Sequence, residues 1–132
     1  MLKSNIHFKD ADLGKIDYLL DYWRFDITDE DGEIIGFALN GGRRQPNLDS
    51  LQDAKKVINS LSEFKQAALS FCNRQGEVQD FCKGLGELVL DEVFMQNETG
   101  SFDFDFGLTE WEDASVIVHF VNDRPDGFTL GD

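Results

Sequence analysis

Asp103 and Asp105 stand two residues apart in the run Phe102-Asp103-Phe104-Asp105-Phe106, which alternates apolar and acidic side chains. In an extended strand such residues point the same way, roughly 6–7 Å apart, a separation compatible with paired-carboxylate chemistry such as glycoside cleavage. That chemistry also needs a cleft and two carboxyl groups whose environments drive their pKa values apart. The sequence shows neither, and a solvated sheet face is the expectation carried forward. The two histidines, His7 and His119, lie in no recognisable nucleophile–base motif. His119 alternates with Ile117 and Val121, the setting of a partly buried strand histidine rather than a general base.

Two further segments carry ligand-like residues. Asp29-Glu30-Asp31-Gly32-Glu33 is rich in the oxygen donors that hard cations require, but glycine comes fourth and Asn40 occupies the twelfth position, where a calcium loop needs glutamate. A hairpin turn accounts for the same residues. Gly41-Gly42-Arg43-Arg44 offers amides and guanidinium groups to an anion, yet it lacks the phosphate-loop lysine pattern and reads as an ordinary loop. Cys72 and Cys82 lie too far apart for a redox or metal pair and are expected to be reduced core thiols. No catalytic residue, metal or cofactor is therefore assigned.

The pattern that does suggest a function is acid packed around aromatics. Asp103, Asp105, Glu110, Trp111, Glu112 and Asp113 follow Asp91, Glu92 and Glu98, and residues 84–132 hold twelve acids against the single base Arg124. The whole chain carries 12 Lys and Arg against 26 Asp and Glu, a formal charge of −14. Such a surface repels nucleic-acid phosphates and anionic lipid, so DNA, RNA and membranes are excluded as partners. It attracts a basic protein, with carboxylates steering the encounter and Trp111 available as an anchor.

The elements that position these residues follow from periodicity. At 132 residues the chain fits one domain, 1–132, with twelve Phe to fill its core. Asp10 or Asp12 could cap a short helix through Leu13, Ile16, Leu19, Leu20 and Trp23. Trp23, Phe25 and Ile27 then pair across the Asp29–Gly32 turn with Ile35, Phe37 and Leu39 as a β-hairpin. Leu51, Ala54, Ile58, Leu61, Ala68, Phe71 and Cys72 form one apolar stripe, predicting a long helix over about 48–74 with Lys55, Lys56 and Lys65 on its solvated side. A short helix through Val78, Phe81, Cys82 and Leu85 comes next. Strands around Leu88–Val93, Phe102–Phe106 and Val116–Phe120 complete an antiparallel meander, with Asp123–Gly127 as turn residues.

The expected fold class is α+β: an antiparallel β-sheet with one long amphipathic helix on one face and one or two short helices. The N-terminal fourteen residues lack the apolar core of a leader, and no apolar run approaches membrane-spanning length, which points to the cytoplasm. The expected function is that of a small immunity- or inhibitor-type protein, not an enzyme, that neutralises a basic partner such as a nuclease toxin. One alternative is a structural or adaptor domain that self-associates through an exposed edge such as Phe102–Phe106. Another is a small-ligand binder or enzyme with a pocket between helix and sheet.

Overall fold

The computed structural model describes residues 6–132; residues 1–5, part of the stretch read for a leader, lie outside. Four strands come first: β1 (Ile6–Asp10), β2 (Gly14–Leu19), β3 (Tyr22–Thr28) and β4 (Ile34–Leu39). Three helices follow, α1 (Leu48–Asn59), α2 (Leu61–Asn73) and α3 (Gly76–Cys82). Four more strands close the chain, β5 (Leu88–Met95), β6 (Phe102–Leu108), β7 (Trp111–Val121) and β8 (Arg124–Gly131). All eight strands form one sheet in sequence order, antiparallel except for the parallel pair β4–β5. The fold is α+β with a mostly antiparallel sheet.

The hairpin read from Trp23 to Leu39 is β3–β4, with Trp23 opposite Leu39, Phe25 opposite Phe37 and Ile27 opposite Ile35. The helix read just before it is absent. Those residues instead make β2 and the start of β3, joined by Leu20 and Asp21, both in the left-handed region at φ 55° and 70°. Ile16 and Trp23 enter the core from these strands while Leu20 is 62% exposed, so spacing that suits a helix is used with period two. Asp10 does cap a local structure, but it is the β1–β2 turn: its carboxylate accepts from the backbone N–H groups of Asp12 and Leu13.

The long helix also needs correction. Its stripe packs as expected, Leu51, Ala54, Leu61, Ala68 and Cys72 being buried, but the chain bends at Ser60 (φ −123°, ψ 30°) into two helices. Asn59 and Ser60 are weak helix formers, and the Ser60 N–H is shared between the carbonyls of Lys56 and Val57. At the other end Asn47 caps α1 by accepting from the Ser50 N–H at 3.0 Å. The loop before it is pinned: Trp23 donates its indole N–H to the Gly42 carbonyl at 2.8 Å, and a Cβ on Gly41 would fall 2.6 Å from Pro46 Cα. Arg43 and Arg44 sit exposed on this loop.

On the helix-covered face, Phe102, Phe104, Phe106, Val116, Val118 and Phe120 are buried and form the floor of the core. Phe64 of α2 meets Phe102 and Phe120 edge to face at 5.3 and 5.9 Å. The expected meander is present as β5–β8, with β8 occupying residues expected to be turn. Its turn is only Asn122-Asp123, both left-handed at φ 53° and 65°.

Two of the three lysines expected on a solvated helix face, Lys55 and Lys56, are instead ties to the sheet. Lys55 lies 3.0 Å from Asp10 and 2.9 Å from Asp12 in the β1–β2 turn, while Lys56 lies 2.8 Å from Asp123 in the β7–β8 turn. In a flat sheet these turns would be at least ~29 Å apart at about 4.8 Å per strand. Adjacent residues of one helix reach both, so twist brings these two corners of the sheet toward α1. Beside Lys56, the Asp53 carboxylate is almost fully buried, accepting from the Gly100 N–H at 2.9 Å and lying 2.8 Å from the Lys56 ammonium. Replacement Asp53→Ala orphans the Gly100 amide and removes one partner of Lys56. It is expected to lower unfolding free energy by about 2–4 kcal/mol, read from urea denaturation; a loss below about 0.5 kcal/mol would show that the buried carboxylate holds nothing in place.

Candidate functional site

The helices cover one face of the sheet, and alternation along each strand sends the remaining side chains to the other, open face. Cross-strand pairing gives that face two rows. One runs Asp17, Arg24, Ala38, Phe94, Asp103, His119 and Gly127 from β2 to β8. The next runs Asp26, Gly36, Glu92, Asp105, Ile117 and Thr129 from β3 to β8.

At the β3–β5 side Tyr22 and Phe94 meet edge to face at 4.7 Å, and the Arg24 guanidinium lies 5.5 Å from the Tyr22 ring centroid. Toward the middle the face turns acidic. Glu92 and Asp105 are direct cross-strand partners, and Asp26 lies on the same row one strand beyond Gly36. The β5–β6 register slips between Leu90 and Glu92, which adds Asp91 to the group. Its carboxylate lies over Gly107, where a Cβ would fall 2.6 Å from Oδ2, so a side chain there would push the Asp91 carboxylate aside. Among the described residues the cation paired with this group is Arg24, 3.6 Å from Glu92.

Burial and, after it, crowding act on the protonation of this group. Partial burial, then Asp105 and Glu33, hold the Asp91 carboxyl above the usual range. Burial raises Glu92 as well; Arg24 opposes this, but Asp105, Asp26 and Asp91 add to the rise. Further along, carboxylates are held by hydrogen bonds. Asp103 accepts from the Gln96 amide at 3.0 Å and lies 2.8 Å from His119 Nδ1, whose Nε2 lies 2.7 Å from the Thr129 hydroxyl. Ser115 donates to Asp105 at 2.6 Å. His119 thus has a partner at each ring nitrogen, in a lateral network that locks the face. Among the described residues no group of three or more His, Cys, Asp or Glu is arranged to hold a metal ion.

The six residues singled out from the sequence fall in two places. Asp103 and Asp105 lie within the open face. Glu110 sits in the β6–β7 turn, its N–H donating to the Leu85 carbonyl, and Glu112 and Asp113 are exposed at the start of β7. Trp111 packs on Phe81 of α3 with ring centroids 5.2 Å apart and the planes tilted by 34°, bracing that helix. The segment Phe102–Phe106 is not an edge, as β6 pairs with β5 and β7; the edges are β1 and β8. Glu92, already part of the acidic pattern in the sequence, meets Asp105 across the β5–β6 pair, whereas Asp26 and Arg24 join them only through the β4–β5 pairing, which residue spacing does not disclose. The Asp29–Glu33 segment is a turn in which the Asp29 carboxylate accepts from the N–H groups of Asp31 and Glu33. Cys72 and Cys82 are free thiols, and burial, then the neighbouring Cys82, pushes Cys72 up to about 11.

No protein-family model, curated protein or solved structure matches this chain.

Two measurements follow from this geometry. Because Asp91 holds its proton more tightly folded than unfolded, its charge opposes folding at neutral pH; stability on this account falls as pH rises through the raised folded pKa. Asp91→Asn should raise the urea midpoint at pH 7, the gain disappearing by about pH 3, where the carboxyl is protonated in both states. An unchanged or lower midpoint at pH 7 would contradict the crowding. Trp111→Ala should cost about 2–3 kcal/mol through loss of the Phe81 contact; a cost near zero would free Trp111 for a role at the surface.

Proposed function

We propose that this chain is an immunity- or inhibitor-type protein that neutralises a basic partner, such as a nuclease toxin, by covering its cationic surface with the open sheet face. The observation that carries this reading is the set of carboxylates Asp26, Asp91, Glu92 and Asp105, gathered on β3, β5 and β6 with Arg24 as the one cation in contact among the described residues. Like charges placed across strands destabilise a sheet. Lysine or arginine side chains from a partner relieve that repulsion on docking, so binding gains from a strain that the free protein carries. A nuclease must be electropositive where it holds phosphate, and an acidic surface on a rigid sheet competes for that site and associates fast.

In this reading Asp103 and Asp105 lie at the centre of the contact and Glu110, Glu112 and Asp113 extend it along the β6–β7 hairpin. Trp111 contributes by holding that hairpin against α3. The protein needs no cofactor and catalyses nothing. Two unlinked thiols fit action in the cytosol, where a producing cell would need protection.

The test is an affinity pull-down from the source cells in low and high salt, with the wild-type chain and with Glu92→Gln/Asp105→Asn. A basic protein retained by the wild type at about 50 mM salt, lost by about 500 mM as screening shortens to a few ångströms, and retained at least tenfold less by the double variant is the expected result. Retention insensitive to both salt and variant, or a chain that elutes alone or bound only to itself, would overturn the reading.

A further inference from the structure

A cavity of about 270 Å³ opens on the other side of the molecule, between the tip of the β3–β4 hairpin and the bend where α1 gives way to α2. Its apolar part is Ile27, Ile58 and Leu61; its polar part includes Glu30, Asp31 and Glu63. The volume falls just below the roughly 300–1,000 Å³ of sites for drug-sized ligands, enough for one flexible chain rather than a ring system. A ligand suited to it has an aliphatic stem and a charged head.

The sign of that head follows from the lining. Asp29 also borders the cavity, and its Oδ1 accepts from the Asp31 and Glu33 amides of its own turn. Glu30, Asp31 and Glu63 enter no ion pair among the described residues, and the one cation of the lining, Lys65, enters none either. The helix termini do not reverse this, because the negative end of α1 and the positive end of α2 meet at Ser60 and oppose each other. The Asp29 turn also fixes the hairpin tip, so the cavity does not depend on a ligand to form it.

We infer that this cavity binds a single alkylammonium or alkylguanidinium chain, the methylenes lying on Ile27, Ile58 and Leu61 and the cation meeting Glu30, Asp31 and Glu63. This is how lysine and arginine side chains divide between apolar and polar surroundings. The chemistry is shared by a free polyamine and by a basic side chain of a docked protein. The inference is independent of the open face, which lies on the opposite side of the sheet.

The experiment is a titration of the wild-type chain followed by amide NMR shifts, with spermidine in one arm and an end-blocked Ala-Lys-Ala peptide in the other. Saturable shifts confined to residues 27–31 and 58–65 are expected. Glu63→Gln/Glu30→Gln should weaken binding about tenfold, a loss of about 1.4 kcal/mol, and Lys65→Gln should tighten it severalfold by removing the competing cation. Saturation by spermidine alone assigns a free polyamine, and saturation by the peptide assigns a partner's side chain. Absence of saturable shifts in both arms, or affinity unchanged by the double variant in a chain whose other amide shifts show it folded, would overturn the inference. Glu92→Gln/Asp105→Asn should leave this titration unchanged, so that its outcome is separate from that of the open face.

Discussion

The parallel pairing of β4 with β5 is the constraint from which the rest of the architecture follows. Parallel neighbours cannot be joined by a tight turn, so the chain has to leave the end of β4, travel the length of the sheet and re-enter at the start of β5. Residues 40–87 make that journey, and all three helices lie within it. Placed on one side, they bury the side of every central strand that carries Phe25, Phe37, Val93, Phe104 and Val118. The other side is left to water by the same act. The join also sets the charge of that side, because it brings the β3–β4 hairpin with Arg24 and Asp26 against the acidic β5–β7 meander.

Cations are then distributed unevenly. Lys55 and Lys56 of α1 are drawn to Asp10, Asp12, Asp53 and Asp123, tying the first and last hairpins to the helical layer. Burial opposes the charge of Lys56, but its hydrogen bonds to Asp123 and Asp53 outweigh that, and its pKa is raised. Lys55 is raised by Asp12 and Asp10. Burial would likewise raise Asp10, but the Lys55 hydrogen bond and the Leu13 and Asp12 amides lower it, so its contribution to stability is present at neutral pH and lost on acidification. Asp91 and Glu92 act in the opposite sense. One network stabilises the ionised fold at neutral pH while the other face opposes it, a division that comes from where the few lysines point.

Much of this was legible in the residue pattern, and the failures have identifiable causes. The β3–β4 hairpin, the apolar stripe of α1 and α2, and the Phe-Asp alternation of β6 are long signals with one period each. Residues 13–23 carry a mixed signal: Leu13, Ile16, Leu19, Leu20 and Trp23 fit a helix, and a hairpin turn through Leu20 and Asp21 lacks the glycine or asparagine that usually marks left-handed backbone. The second such turn, Asn122-Asp123, has an asparagine, but the following Arg124-Pro125-Asp126-Gly127 resembles a longer loop and concealed β8. Of the acidic site, the β6 pair could be read from alternation. Its junction with Asp26 could not, since that is a contact between segments separated by the whole helical layer, nor could the addition of Asp91, which depends on a one-residue bulge.

That bulge bears on whether the acidity serves only solubility. Solubility asks for net charge with the signs dispersed, and twelve acids in the last 49 residues would satisfy it from turns and strand ends. Here the irregularity of β5 adds a further carboxylate to a row already acidic, and Gly107 supplies the space that a side chain would take from Asp91. Burial first, and the neighbouring carboxylates after it, hold both Asp91 and Glu92 above the usual range, so their ionisation opposes folding. Threonine or serine at the same positions would suit an antiparallel strand without repulsion. A concentrated field is what distinguishes the arrangement, and a field of one sign on a rigid, hydrogen-bonded surface has its physical use in attracting and orienting the opposite charge.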